Sequence, residues 1–129
     1  MKKLVLILVV ALSFLGCEKS SEGVITEVSR EEMDLIMELE KVQLIDVRTA
    51  EEFDLGHIIN AQNIDISSET FDADIESLDK EQPVVLYCRS GNRSAKCAQK
   101  MKAAGFKKIY DLTEGFSKWE HAKFNTVNN

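Results

Sequence analysis

Val84-Val85-Leu86-Tyr87-Cys88-Arg89-Ser90-Gly91-Asn92-Arg93-Ser94 decides how the rest of this chain is read. It opens as an apolar run of strand formers after Pro83. It closes in a polar Ser/Gly/Asn cluster, the pattern of a buried parallel strand. A helical pattern without a breaker follows, from Ala95 to Ala104. Cys88 is thereby placed at the turn between the carboxyl end of a strand and the amino end of a helix. Backbone N–H groups in such a turn lack partners and face whatever lies in the cup they form. The helix dipole and the two arginines, Arg89 and Arg93, add positive potential. Each of these effects favours thiolate over thiol, and the thiolate is the nucleophile.

Outward from that stretch, three further groups of residues stand in order. Asp46-Val47-Arg48 with Glu52-Phe53 and Gly56-His57-Ile58 precede it. Leu112 with Gly115-Phe116 and Trp119 follows it. Together with the loop from Cys88 to Ser94, these four signatures resemble those of the rhodanese family of sulfurtransferases. The resemblance covers residues 24–122, one whole module. It implies an α/β fold with a five-stranded parallel sheet and helices on both faces. It also implies that Cys88 attacks the outer sulfur of thiosulfate or a similar small anionic donor and becomes a persulfide. Arg89, Ser90, Gly91, Asn92, Arg93 and Ser94 would form the cradle. A thiol, or cyanide in an assay, would then take the sulfur. In this reading the two arginines attract and orient the donor, and Arg93 also braces the loop. Asp46 and Arg48 serve as scaffold. Two departures stand out: Ile59-Asn60 replace a common Pro-Gly, and Glu114 replaces a common glycine.

Cysteine phosphatases also place a thiolate in an amide cup ahead of an arginine, and some share this fold. Their loop has five residues between the two. Here four, Arg89 to Asn92, separate Cys88 from Arg93, which is closer to the sulfurtransferases. Two other classes remain open at this point. One is a module that carries a persulfide or binds a partner without turnover of its own. The other is a thiol redox protein, disfavoured by the lack of Cys-x-x-Cys.

The surrounding pattern alternates strands and helices, as a parallel sheet covered on both faces requires. Strands are expected at Val24 to Val28, Gln43 to Val47, Ala61 to Ile66, Val84 to Tyr87 and Lys108 to Leu112. Ser29-Arg30-Glu31-Glu32 reads as a capping box ahead of a helix, and Thr49 with Glu52 repeats the device. Ser67 to Leu78 reads as a surface helix with Phe71, Ile75 and Leu78 along one edge. His57 is expected at the amino end of a strand, on the rim opposite Cys88, in a structural role. Gly105 suits the position just past a helix. A final helix should carry Trp119, and residues 123–129 should be a tail, frayed from Asn125 to Asn129.

The 129 residues suffice for one domain, and the net charge of −6 with no basic run makes nucleic acid an unsuitable partner. Lys2-Lys3 and the apolar run from Leu4 to Leu15 have the form of a signal peptide over residues 1–16, because a membrane span needs about 20 apolar residues. Gly16-Cys17 resembles a bacterial lipoprotein site, with Cys17 lipidated and residues 17–23 a tether. The domain would then be exported and held to a membrane in the periplasm or cell envelope. A plain secretory signal, with Cys17 an ordinary thiol, is the other reading. Cys97 lies about six residues, or roughly 9 Å, along the helix from the loop, beyond disulfide reach of Cys88. It is expected to be a core residue. No cofactor motif is visible, and two cysteines in the domain do not suit a zinc site.

Overall fold

The computed structural model describes residues 22–121 and 126–127. Cys17 and the expected amino-terminal signal therefore lie outside the described residues. A five-stranded sheet forms the centre. Its strands are β1 (Val24–Val28), β2 (Gln43–Asp46), β4 (Gln62–Asn63), β5 (Val84–Tyr87) and β6 (Lys108–Leu112). All pair in parallel, in the order β1-β6-β5-β2-β4. A two-residue strand, β3 (His57–Ile58), stands apart and pairs antiparallel with β7 (Thr126–Val127).

Alternation along the strands sorts the core into two layers. Ile45, Leu86, Cys88 and Ile109 face Cys97, Ala98 and Met101 of helix α4 (Asn92–Ala103) and Phe71 and Ile75 of helix α3 (Phe71–Glu76). Leu44, Val85, Tyr87, Tyr110 and Leu112 face Met33 of helix α1 (Arg30–Leu39), Ile58, and Phe116 of helix α5 (Gly115–His121). All four residues of β5 are buried, as a central parallel strand requires. The expected sheet, with helices on both faces, is the one observed.

The helix starts follow the cap chemistry. Ser29 Oγ accepts from the Glu32 amide and Glu32 Oε2 accepts from the Ser29 amide, so the capping box is complete. Thr49 Oγ1 likewise accepts from the Glu52 amide ahead of helix α2 (Ala50–Asp54). α4 begins at Asn92, three residues earlier than the periodicity suggests, because Gly91 takes the N-cap with φ 98°. Gly105, at φ 99°, ends it as expected.

Four expectations need correction. The strand foreseen over Ala61 to Ile66 is reduced to Gln62–Asn63; Ile64 and Ile66 still donate to Asp46 O and Val47 O, but an Asp65 side-chain turn diverts the chain. The helix foreseen over Ser67 to Leu78 begins only at Phe71, because Ser68 Oγ accepts from the Thr70 amide and fixes a turn before it. His57 does not sit across the sheet from the loop. Asn60, at φ 66°, breaks the chain between β3 and β4, so Gly56-His57 stays beside the carboxyl-end rim. The tail is not wholly frayed, since Thr126 and Val127 pair with Ile58 and His57.

α5 bears directly on the loop after β5. Phe116 N–H donates to Cys88 O at 2.7 Å, and Ser117 donates to Arg89 O from its amide at 3.2 Å and its hydroxyl at 2.9 Å. Gly115, at φ 70°, makes this approach possible. A Cβ there would fall on Arg89 O, and would lie 2.6 Å from Arg89 C and 2.8 Å from Ser90 N. Gly115→Ala should therefore destabilise the domain by at least about 1–2 kcal/mol, the left-handed penalty alone. A thermal melt checks this, and an unchanged midpoint would contradict the packing.

Candidate active site

The loop closes back on its own cysteine. Gly91 N–H donates to Cys88 Sγ at 3.0 Å. An N–H aimed at sulfur stabilises negative charge there. Sγ also lies 3.6 Å from Ser94 Oγ, as donor, and the Ser94 hydroxyl in turn donates to Gly91 O at 3.1 Å. Cys88 is 1% exposed, so the sulfur lies under the loop. Arg89, Ser90 and Asn92 are exposed around it, Gly91 and Arg93 are half-buried, and Ser94 is buried.

Trans peptide planes relate the two sides of this loop. In a trans peptide the C=O of one residue and the N–H of the next point in opposite directions. With the carbonyls of Cys88 and Arg89 held by α5, the amides of Arg89 and Ser90 are turned away from α5.

The arginines divide into held and free. Arg48 is buried and forms a bidentate pair with Asp46, Nε to Oδ1 at 3.0 Å and Nη2 to Oδ2 at 2.7 Å. Its Nη2 also donates to Gly56 O at 2.7 Å, and its guanidinium lies 4.0 Å from the Phe116 ring centroid. Removing one partner of such a buried pair typically costs about 3–5 kcal/mol. This arrangement fits the scaffold role expected for Asp46 and Arg48. Tyr87 belongs to the same group: its hydroxyl accepts from the Ile58 amide at 3.1 Å. Burial, then the nearby Asp46, push its phenol up, so it stays neutral.

Arg93 is also held. Nη1 and Nη2 meet Glu52 Oε1 and Oε2 at 2.7 and 2.9 Å, so both arms of the fork are occupied. That geometry is a brace from α2 to the first turn of α4. Arg89 differs: among the described residues, no acidic side chain pairs with its guanidinium. A cavity of about 150 Å³ lies beside it, lined by Arg48, Glu52, Leu55, Gly56, Arg89 and Phe116. A larger groove of about 490 Å³ lies between β1 and α1, but no loop residue lines it, so the chemistry places the site at the smaller one.

Cys97 is fully buried on the inner face of α4, and burial, then the nearby Asp111, push its thiol up to about 12. Cys88 and Cys97 are both free thiols. His57 stacks on Phe53, with ring centroids 3.6 Å apart, and its Nδ1 lies 2.9 Å from Phe53 O. Among the described residues no group of acids, histidines and cysteines could hold a metal ion, and no helix is long and apolar enough to cross a membrane.

Two features escaped the sequence reading. Glu52 was read as a helix-capping residue and as part of a signature, and nothing local marks its pairing with a residue 41 positions away. Asp111 was read only as one position in a strand, yet it is a buried carboxyl.

Comparison with known proteins follows the geometry. The family described as Rhodanese-like domain matches residues 29–122. A Bacillus subtilis protein named Uncharacterized protein YqhL is 42% identical over 79 residues, 61% of this chain. The chain spans less than two thirds, 61%, of that relative's length. A Shewanella oneidensis protein named Thiosulfate sulfurtransferase GlpE is 35% identical over 85 residues, covering 66% of this chain and 82% of that one. Among solved structures, a rhodanese-like domain protein from Staphylococcus aureus superposes with a TM-score of 0.65 at 29% identity, covering 73% of this chain and 90% of that one.

The Glu52–Arg93 bridge yields a pH test. Hydrogen bonding from Arg93 holds the Glu52 carboxyl down from its ordinary 4.5 to about 2. Its folded value lies below its unfolded one, so the bridge stabilises the fold above the ordinary value, and that contribution is lost as pH falls toward 2. Glu52→Gln should lower stability at neutral pH by no more than about 1 kcal/mol, because both side chains are partly exposed. In denaturant melts the gap to wild type should close in strong acid. A gap that stays constant with pH would contradict this.

Proposed function

The chain belongs to the rhodanese-like domain family, and on that premise we propose that it is a sulfurtransferase working through a Cys88 persulfide. One observation carries the reading: the Gly91 amide donates to Cys88 Sγ at 3.0 Å inside a loop with only four residues between Cys88 and Arg93. The Cys88 thiolate attacks the outer sulfur of thiosulfate or a similar donor. A bond forms between Sγ and that sulfur, and the donor's own S–S bond breaks with its electron pair leaving on sulfite. A thiol, or cyanide in an assay, then attacks the terminal sulfur and returns the electron pair to Sγ. This is two-step covalent catalysis.

The site supports the substrate class in two ways. A cysteine that is 1% exposed suits a donor whose reacting atom is a single terminal sulfur. Arg89, with no acidic partner among the described residues, supplies a cation for an anionic donor. The names of relatives such as the Shewanella protein point the same way.

Phosphoryl transfer fits less well. Its transition state spreads charge over three equatorial oxygens, all of which need donors. A leaving alkoxide also needs a proton. Of the acids beside the loop, Asp46 is locked to Arg48, and Glu52 is held ionised by Arg93.

Thiosulfate:cyanide transfer and aryl phosphate hydrolysis should be measured on the same purified chain. Sulfur transfer is expected, with negligible phosphate release. Cys88→Ser should abolish transfer, and Cys97→Ser should keep most of it. Phosphate release that depends on Cys88, with no sulfur transfer, would overturn the reading. Equal loss in both folded variants would show that Cys97 is more than a core residue.

A further inference from the structure

The sulfur-transfer steps above make no use of the open edge of the sheet. β1 ends the strand order on one side, with β6 as its only strand neighbour among the described residues. Val24 N–H donates to Lys107 O at 2.9 Å, and Val28 O accepts from the Thr113 amide at 3.3 Å. Both bonds run toward β6. The N–H and C=O of one strand residue point to the same side, and the side alternates from each residue to the next. Thr26 therefore faces β6 as well. Ile25 and Glu27 hold their N–H and C=O groups outward, without backbone partners among the described residues. The other edge strand, β4, has only two residues and offers no comparable row.

The groove of about 490 Å³ between β1 and α1 runs beside this edge. Val28 and Tyr110 line it from the sheet, and Leu35 and Ile36 line it from α1. Leu35 is 49% exposed, so the groove has an apolar wall open to water. Glu31 and Glu32, in the first turn of α1, also line it. Val28 belongs to the core layer on the α1 side, and Ile25 packs against the layer on the α4 side. Alternation thus sends the Glu27 side chain to the α4 side of the same edge. Among the described residues no cation pairs with Glu27, Glu31 or Glu32. Arg30 stands in the same turn but does not line the groove. Lys108, over the Tyr110 ring, is bound to Glu40 at 2.8 Å.

We propose that this edge and groove form a docking site for an extended segment of a partner protein, in which apolar residues alternate with lysine or arginine. The segment adds as a sixth strand beside β1 and bonds through its backbone to Ile25 and Glu27. Its side chains alternate between the two faces of the sheet. One set enters the groove against Leu35, Ile36 and Tyr110 and must be apolar. The other set meets Glu27 on the opposite face and must be cationic, and a flanking cation reaches Glu31 or Glu32. Main-chain bonds along the edge supply affinity, and the alternate side chains supply selection. Charge decides among the possible occupants. A second copy paired β1 to β1 brings the same carboxylates against one another, and like charges opposed across two strands repel. The chain's own apolar run, Leu4 to Leu15, contains no cation to meet Glu27. A basic segment turns the same three charges into attraction. No residue of the catalytic loop lines the groove, so this inference does not depend on the sulfurtransferase reading.

The test uses the full chain and a short synthetic amidated peptide that alternates valine and lysine. A second peptide has the same composition with its valines and lysines in separate blocks. The alternating peptide should bind at least about tenfold more tightly than the blocked one. On binding, amide hydrogen exchange followed by NMR should slow at Ile25 and Glu27, while Thr26, which already faces β6, keeps its rate. Leu35→Gln and Glu27→Lys should each weaken the alternating peptide by about tenfold. Both positions are exposed, so both variants should fold, as their thermal melts will show. Equal binding of the two peptides, unchanged exchange at Ile25 and Glu27, or full affinity in either folded variant would overturn the proposal. Slow exchange at these two amides before any peptide is added would overturn it as well. A slowing that grows with protein concentration would assign the edge to a second copy, and one that does not would assign it to the chain itself.

Discussion

The hydrogen bonds from the first turn of α5 to Cys88 O and Arg89 O set the loop, and the loop sets the chemistry. Peptide planes are rigid, so fixing two carbonyls on one side fixes the following amides on the other. The loop is short, and with its carbonyls engaged outward its remaining donors are free to turn inward. Gly91 supplies the one seen bonded to sulfur. Gly91 can do so because its φ of 98° costs glycine nothing, and the same conformation starts α4. Two glycines, Gly91 and Gly115, therefore meet a single geometric demand from opposite sides. Elsewhere the sheet need only hold β5 and β6 in register to keep these parts opposed.

Charge around the loop is distributed by pairing. Arg48 is buried beside Asp46 and joins β2, Gly56 and the Phe116 ring into one unit. Arg93 ties α2 to α4 through Glu52. Both cations spend most of their field on a carboxylate a few ångströms away. Arg89 has no acidic partner among the described residues, and it lines the cavity at the rim. An acidic chain can thus present one local positive group beside the loop, where the proposed function brings an anion, while its overall charge of −6 does nothing to attract one.

The central strand and its turn were legible because their signals are local. Four apolar residues after a proline, then Ser and Gly, admit few readings, and the capping box at Ser29 and the N-cap at Thr49 need only a three-residue spacing. What was not legible depends on contacts distant in sequence. Arg93 read as both a donor-orienting cation and a brace, but what it braces against, Glu52, lies 41 residues earlier. Asp111 sits among Ile109, Tyr110 and Leu112, and no sequence pattern says that a charged residue there is buried. The strand at His57–Ile58 was missed for the same reason, since its partner, Thr126–Val127, lies at the chain's far end. Short elements of two residues carry no periodicity to read.

The central claim is that Cys88 holds transferred sulfur. Intact mass of the purified chain after incubation with thiosulfate, and again after cyanide, tests it most directly. The account predicts a gain of one sulfur atom at Cys88, removed completely by cyanide. A chain that stays unmodified with thiosulfate while its Cys88 remains free to alkylate would contradict it.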